Sequence, residues 1–249
     1  MPILQAIGLS HCFADGTVGL DNVSLSVEAG EFCVIAGPNG SGKTTLLRHF
    51  IGLLSSESGS VAVGGQSVDA DPLAARQRVG LVFQDADSQI VGETVYEDTA
   101  FGPENLGLNR QQIDARVRQA LAAVDLVRLA DKRPHHLSGG EKRRLAIAGV
   151  LAMAPQVLLM DEPFSNLDYP ATRRVLDQIL ALHELGHTIV ITTHDLEKVL
   201  AHAQRLVVMA AGRVVADGRP AEVSEGVERY GIRRPCSVQL GRGIQPWAI

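Results

Sequence analysis

The sequence is poor in cysteine. Cys12, Cys33 and Cys236 are scattered through 249 residues, without a CxxC pair. This spacing argues against a disulfide framework or a structural zinc site and fits a reducing compartment. The chain also lacks an excess of positive charge. Its net charge is −5 at pH 7, which speaks against non-specific nucleic-acid binding, since that needs a basic face. Long apolar runs are missing too. Segments such as Val157–Met160 and Ile189–Ile191 fall far short of the roughly 20 residues that cross a bilayer. The opening MPILQAIGLSHCF has no basic segment followed by an apolar one, so no secretory signal is expected. The sequon Asn22-Val23-Ser24 is then without chemical meaning. Any work at a membrane would pass through a docked partner. Repeats and low-complexity linkers are absent as well.

What remains is ordinary globular material. Hydrophobic residues make up 45% and charged residues 20%, enough for one large α/β domain with a sizeable core. Short β-type runs open the chain at Ala6–Ser10, Val23–Val27 and Phe32–Ala36. A helical pattern covers Thr44–Ile51, and Val61–Val63 and Leu81–Phe83 read as strands. From about Asp85 to Met153 the strand signal fades. Ile113, Val117, Leu121 and Val124 share one helical face there, and Leu145, Ala148, Gly149 and Ala152 share another. The α/β rhythm then returns with strand Val157–Met160, helix Ala171–Glu184, strand Thr188–Thr192, helix Leu196–Ala203 and strand Leu206–Met209. Alternating strands and helices predict a mostly parallel sheet with ligand sites at the carboxyl ends of its strands. The segment from Gly231 to Ile249 has no periodicity and is expected to be a loosely ordered tail.

Gly37-Pro38-Asn39-Gly40-Ser41-Gly42-Lys43-Thr44 satisfies G-x-x-x-x-G-K-[ST] between an apolar strand and a helix. The glycines allow backbone N–H groups to surround phosphate oxygens, and the helix adds its positive end. Lys43 is the candidate for the β- and γ-phosphates, and the Thr44 hydroxyl for Mg²⁺. Asn39 through Thr45 are the candidate phosphate contacts of a P-loop NTPase, with ATP and Mg²⁺ as cofactors.

A second strand, Val157–Met160, ends in Asp161-Glu162. Two carboxylates at the end of a buried strand are unfavourable unless a cation is held there. Asp161 is the candidate for the Mg²⁺ shell, and Glu162 for the general base that activates water.

Leu137-Ser138-Gly139-Gly140-Glu141 precedes that strand and opens a helix, a second anion-binding device in the same chain. One nucleotide does not need two such devices in one subunit. The combination resembles the ATPase subunits of ABC transporters over roughly residues 3 to 225. Gln84, Ser165-Asn166-Leu167-Asp168 and His194 stand, in order, where that family has its Q-loop, D-loop and switch histidine. Phe13 stands where it usually has an adenine-stacking tyrosine. Glu141 replaces the usual glutamine, Phe164 a common threonine, and Tyr169 interrupts a common Leu-Asp-Pro.

The resemblance implies an ABC ATPase domain over residues 1–230. It has a RecA-like, mostly parallel core, an antiparallel β region and a helical subdomain inserted at about 85–153. It also implies a head-to-tail dimer, a homodimer in the simplest case. There the loop of one subunit faces Ser138, Gly139 and Gly140 of the other across the γ-phosphate, and Asp168 links the two sites. Gln84 reaches the Mg²⁺ beside Thr44 and Asp161. Glu162, His194, Lys43 and Gln84 form the catalytic set.

The run from Val95 to Leu108, with Ala100-Phe101-Gly102-Pro103 and Asn105-Leu106-Gly107, is similar to the same region of energy-coupling factor ATPases. That likeness implies a peripheral subunit on the cytoplasmic face of the membrane. It would drive uptake of cobalt, nickel or a vitamin such as biotin through a transmembrane coupling subunit and a substrate-binding membrane subunit. Other readings are another transporter class, a soluble ABC ATPase acting on nucleic acid or ribosomes, and a P-loop kinase. The first soluble reading needs a coiled-coil insertion or basic face, the ribosomal one a second phosphate loop, and the kinase lacks Leu137–Glu141. His183-Glu184-Leu185-Gly186-His187 matches H-E-x-x-H formally, but Gly186 reads as a helix end rather than a zinc site. His135-His136 read as loop residues, and Lys142-Arg143-Arg144 as a solvated helix turn.

Overall fold

The computed structural model describes residues 2–247. Among the described residues ten strands, β1 (Leu4–Cys12), β2 (Val18–Val27), β3 (Phe32–Ala36), β4 (Ser58–Val63), β5 (Gln66–Ser67), β6 (Val79–Val82), β7 (Val157–Asp161), β8 (Thr188–Thr193), β9 (Arg205–Ala210) and β10 (Arg213–Gly218), form two sheets. The helices are α1 (Lys43–Phe50), α2 (Pro72–Arg78), α3 (Val95–Asn105), α4 (Arg110–Ala123), α5 (Gly139–Ala152), α6 (Tyr169–Glu184), α7 (Pro220–Val223) and α8 (Cys236–Gln239).

The larger sheet runs β10-β9-β3-β8-β7-β6 and is parallel except for β10. The smaller one, β2-β1-β4-β5, is antiparallel. The chain therefore has the α/β P-loop fold, with a mostly parallel core and a separate antiparallel region. Strand β3 is buried throughout because both faces of the parallel sheet are covered. Phe32, Val34 and Ala36 join the core shared with α5 and α6, while Cys33 and Ile35 join the core under the antiparallel sheet. This is the period-two alternation of a strand with two apolar faces.

Helices α3, α4 and α5 pack on one another. Their starts carry capping boxes, Thr94 with Glu97, Asn109 with Gln112 and Ser138 with Glu141, each of which satisfies two otherwise unpaired amides. Val117, Leu121 and Val124 are buried as one face. Helix α5 is buried nearly all round, from Arg143 through Ala148, as befits a helix at the centre of a core.

Several expectations are corrected. Leu196–Ala203 is not an α-helix but a set of turns leading into a 3₁₀ helix at Leu200–His202. Leu196, Val199 and Leu200 are buried, which gives the helix-like spacing. Asp195 nevertheless accepts the Glu197 N–H at 3.1 Å, and this local bond competes with helix. Strand β10 has no counterpart among the elements predicted from the sequence. It returns from β9 through Ala211 (φ 48°) and Gly212 (φ 77°), a tight hairpin in which alanine takes a conformation normally left to glycine or asparagine. Of residues 231–249, expected to be loosely ordered, 248 and 249 lie outside the described residues and 231–247 lie against the body. Ile232 is buried, the Cys236 N–H donates to Glu197 at 2.7 Å, and Trp247 packs on Tyr169 with ring centroids 5.0 Å apart.

Candidate nucleotide-binding site

Strand β8 lies between β3 and β7, so the carboxyl ends of β3 and β7 open onto one cleft. A cavity of about 340 Å³ sits there, lined by Phe13, Asn39 to Thr45, Gln84, Asp161 and Glu162, with Thr17, Val18 and Gly19 completing the lining. Residues from five separate stretches of sequence thus meet at one place.

The loop Gly37–Gly42 needs its glycines. Gly42 has φ 98°, and a Cβ there would meet the Gly19 carbonyl at 2.5 Å. A Cβ on Gly37 would meet both the Met209 carbonyl and Ser41 Oγ at 2.4 Å. The Ser41 hydroxyl is buried without a hydrogen-bond partner. An orphaned donor inside a ring of backbone amides fits a phosphate oxygen. Helix α1 begins at Lys43 with no acid in its first turn, so its positive end faces the cavity undiminished. Lys43 is buried, and its Nζ donates to the carbonyls of Gly37 (2.7 Å) and Pro38 (3.0 Å). Burial pulls its ammonium below the ordinary lysine value, opposed by the nearby Glu162 and Asp161.

The acids are held from behind by β8. Asp161 Oδ1 accepts from Thr192 Oγ1 at 2.5 Å, and Oδ2 accepts from Thr44 Oγ1 at 2.7 Å. Thr44 and Asp161 thereby present a carboxylate and a hydroxyl together, hard oxygen donors suited to Mg²⁺, which takes few protein ligands alongside phosphates and water. Glu162 is buried, and its backbone is left-handed with φ 47°, a conformation that costs a non-glycine residue on the order of 1 kcal/mol or more. Its N–H is pinned to the Thr192 carbonyl at 3.1 Å. Oε1 meets His194 Nδ1 at 2.8 Å and lies 4.0 Å from Lys43 Nζ, while Oε2 accepts from Thr193 Oγ1 at 3.3 Å.

Phe13 stands at the mouth. Its ring lies over Gly19, where a Cβ would approach it to 2.7 Å, and meets His11 edge-on at 4.7 Å. His11 in turn meets the buried His49 of α1 at 4.9 Å.

Ser138, Gly139, Gly140 and Asp168 do not line this cavity. They form a separate junction where the first turn of α5 meets that of α6. A Cβ on Gly140 would press on Ala171 at 2.6 Å, and Asp168 caps α6 by accepting the Ala171 N–H at 2.9 Å. Glu141 accepts from the Ser138 N–H at 2.7 Å and the Ser138 hydroxyl at 2.9 Å. Those bonds to Ser138 hold its carboxyl below the usual range.

Lys142-Arg143-Arg144 is not the solvated helix turn expected from its charge. Arg143 and Arg144 are buried, not solvated. Arg144 Nη1 donates to the carbonyls of Val124 and Asp125, and Arg143 reaches the carbonyls of Phe83 and Gln84. Their partners lie far away in sequence, so no local pattern could have marked them. The H-E-x-x-H stretch ends α6 at Glu184, with Gly186 at φ 93°. His183 Nε2 sits 3.0 Å from the Gly30 carbonyl, a helix end rather than a metal site.

Residues 20–165 match the family model described as ABC transporter. The cobalt import ATP-binding protein CbiO of Rhodobacter capsulatus is 45% identical over 245 residues, covering 96% of this chain and 88% of that protein. The energy-coupling factor transporter ATP-binding protein EcfA of Methanococcus maripaludis is 41% identical over 246 residues, covering 96% and 88%. Among solved structures, cbiO1 from Clostridium perfringens, part of the ABC transporter complex cbiONQ, superposes with a TM-score of 0.83 at 38% identity, covering 92% of both chains. With a phosphate loop, an acidic strand end and a Ser-Gly-Gly helix start built on this fold, the chain belongs to the ABC transporter family as one of its ATP-binding, ATP-hydrolysing members.

Proposed function

We propose that this chain is the motor subunit of an energy-coupling factor type importer, peripheral on the cytoplasmic face of the membrane, driving uptake of a metal ion or a vitamin. The observation that carries this reading is an apolar groove of about 400 Å³ beside Gln84, lined by Leu81, Phe83, Val91, Phe101 and Met153. Val91 and Phe101 are more than half exposed at its rim. One carboxylate, Asp98, is buried in its wall. Asp98 Oδ1 accepts the N–H groups of Val91 and Gly92 at 2.7 and 3.0 Å, and burial raises its pKa. A largely apolar trough with Asp98 and Arg76 in its wall fits the apolar face of an amphipathic helix offered by a membrane protein. No described helix is long and apolar enough to cross a membrane, so a partner would have to supply the path.

At the nucleotide site, Ser41, the loop amides and Lys43 hold phosphate, and Thr44, Asp161 and Gln84 hold Mg²⁺. The metal would offset charge on the phosphates. Glu162 takes a proton from the attacking water, and the imidazole of His194 holds that carboxylate in place. Phe13 offers its ring face to the base. Ser138, Gly139, Gly140 and Asp168 lie outside the cavity, which supports a two-subunit site in which a second copy contributes them. Closure around ATP would shift the helices docked beside Gln84, and hydrolysis would reset them. The cargo stays with the membrane subunits. Cobalt is favoured by the likeness to the cobalt import ATP-binding protein of Rhodobacter, with nickel or biotin as alternatives.

Affinity purification from detergent-solubilised membranes tests this reading. It expects co-purifying membrane subunits, with recovery lowered by Phe101→Ser. Activity stimulated by DNA or ribosomes and by no membrane fraction would overturn it.

A further inference from the structure

Helix α5 opens with the Ser138-Gly139-Gly140 segment and also grips the chain at Gln84. Arg143, in the second turn of that helix, is only 3% exposed. Its Nη1 donates to the Phe83 carbonyl and its Nη2 to the Gln84 carbonyl, both at 2.5 Å. The neighbouring Lys142 Nζ meets Asp87 Oδ1 at 2.6 Å. Strand β6 ends at Val82, so the carbonyls of Phe83 and Gln84 lie just beyond its ladder, and the guanidinium takes them both.

This arrangement is costly if it serves only packing. Burial depresses the Arg143 pKa, and Asp85 and Asp161 offset this by charge alone. Among the described residues no carboxylate pairs with it within salt-bridge distance, and its Nε has no partner. A buried cation bound to two carbonyls is a poor substitute for an apolar side chain in a core that needs only volume. What the guanidinium supplies is a planar fork that fixes two successive carbonyls relative to one helix. A lysine cannot reproduce this, because its ammonium is a single point of charge.

We propose that Arg143 is a positioning residue for the ATPase reaction. Its fork ties the Gln84 loop of this subunit's own nucleotide site to the Ser138–Gly140 segment offered to the other site, so that the two move as one body. The inference rests on the roles proposed above for Gln84 and Ser138. Gln84 lies on the cavity wall, and Ser138 is the cap of the helix that carries Arg143. A shift of Gln84 toward the metal would pull on α5 and move the Ser138 end with it.

The test uses the full-length chain with Arg143→Met, Arg143→Lys and Gln84→Ala. Turnover, the half-saturating Mg²⁺ concentration at saturating ATP and thermal unfolding are measured in parallel. Arg143→Met is expected to lower kcat about tenfold or more and to raise the Mg²⁺ requirement several-fold, with Arg143→Lys in between. A folded Arg143→Met chain whose kcat and Mg²⁺ requirement stay within about twofold of the parent overturns the tie. It does so without harm to the reading of Gln84, provided that Gln84→Ala is impaired. If Gln84→Ala leaves the Mg²⁺ requirement unchanged, the reading of Gln84 and the tie built on it both fall. Should Arg143→Met fail to fold, hydrogen exchange on the unaltered chain decides the matter. Amides of residues 83–87 and 138–142 should change protection at the same Mg²⁺ concentration in the presence of ATP, and separate midpoints would overturn the proposal.

Discussion

Glu162 Oε1 stands 2.8 Å from His194 Nδ1 and 4.0 Å from Lys43 Nζ, so one carboxylate oxygen faces two basic groups. The carboxylate is buried while the imidazole is 54% exposed. The pair therefore joins a protected base to a group at the open edge of the cleft, where a second subunit could reach it.

Replacing Glu162 with glutamine keeps the shape and removes the base. Turnover should fall by a factor on the order of 10² to 10⁴. ATP binding should persist, because none of the phosphate-loop amides is touched. Phosphate release reads the first effect. Size-exclusion chromatography with saturating ATP reads the second as a trapped dimer, and a chain that stays monomeric argues against the two-subunit site for the isolated protein.

Lys43→Ala removes a buried ammonium aimed into the loop. Hydrolysis should drop by about a hundredfold or more, since preorganised charge is a leading contribution to phosphoryl transfer. Turnover preserved at the parental rate would remove the phosphate loop from the mechanism.

The two adjacent glycines of the α5 start should respond differently to alanine. At Gly140 the new methyl would lie 2.6 Å from the Ala171 Cβ, whereas at Gly139 its nearest neighbour is Leu167 Cδ2 at 3.9 Å. Gly140→Ala should cost about 1–3 kcal/mol of stability through overpacking. Gly139→Ala should be neutral or better by a few tenths of a kcal/mol, because alanine favours helix over glycine. Urea unfolding of both variants gives the comparison.

Acid should weaken the fold through the buried His49 and the half-buried His187 and His202. Burial lowers the pKa of His49, His187 and His202 below the ordinary 6.5. The folded state thus favours their neutral forms, while the unfolded chain takes up protons near pH 6.5. Their contribution to stability is full above that pH and is lost as pH falls through 6.5 toward the depressed folded values. His49 has no partner on either ring nitrogen. His49→Leu should flatten the fall in urea midpoint between pH 8 and about pH 5.5, and an unchanged slope would remove His49 as a contributor.

What could be read from the sequence depended on whether the physics was local. The phosphate loop could be read because its glycine conformations, its lysine and its helix start all lie within eight consecutive residues. Strand ends bearing Asp161-Glu162 were legible for the same reason. Arg143 was not, since a basic triplet looks solvated until Phe83 and Gln84 are seen against it. Strand β10 escaped because Ala211-Gly212 is an unusual hairpin and its flanking residues are only partly apolar. The order of the tail was hidden because it rests on Glu197 and Tyr169, whose positions only the fold determines.

The strand order has a consequence for how the protein comes into being. Strand β3 carries the phosphate loop at its end, yet its two neighbours are β8 and β9, formed by Thr188–Thr193 and Arg205–Ala210. A growing chain that has passed the loop, the acids and the Ser-Gly-Gly helix still leaves β3 unpaired on both edges. The nucleotide cleft is complete only when nearly the last strand has left the ribosome, and nascent chains stopped before Thr188 should bind no ATP.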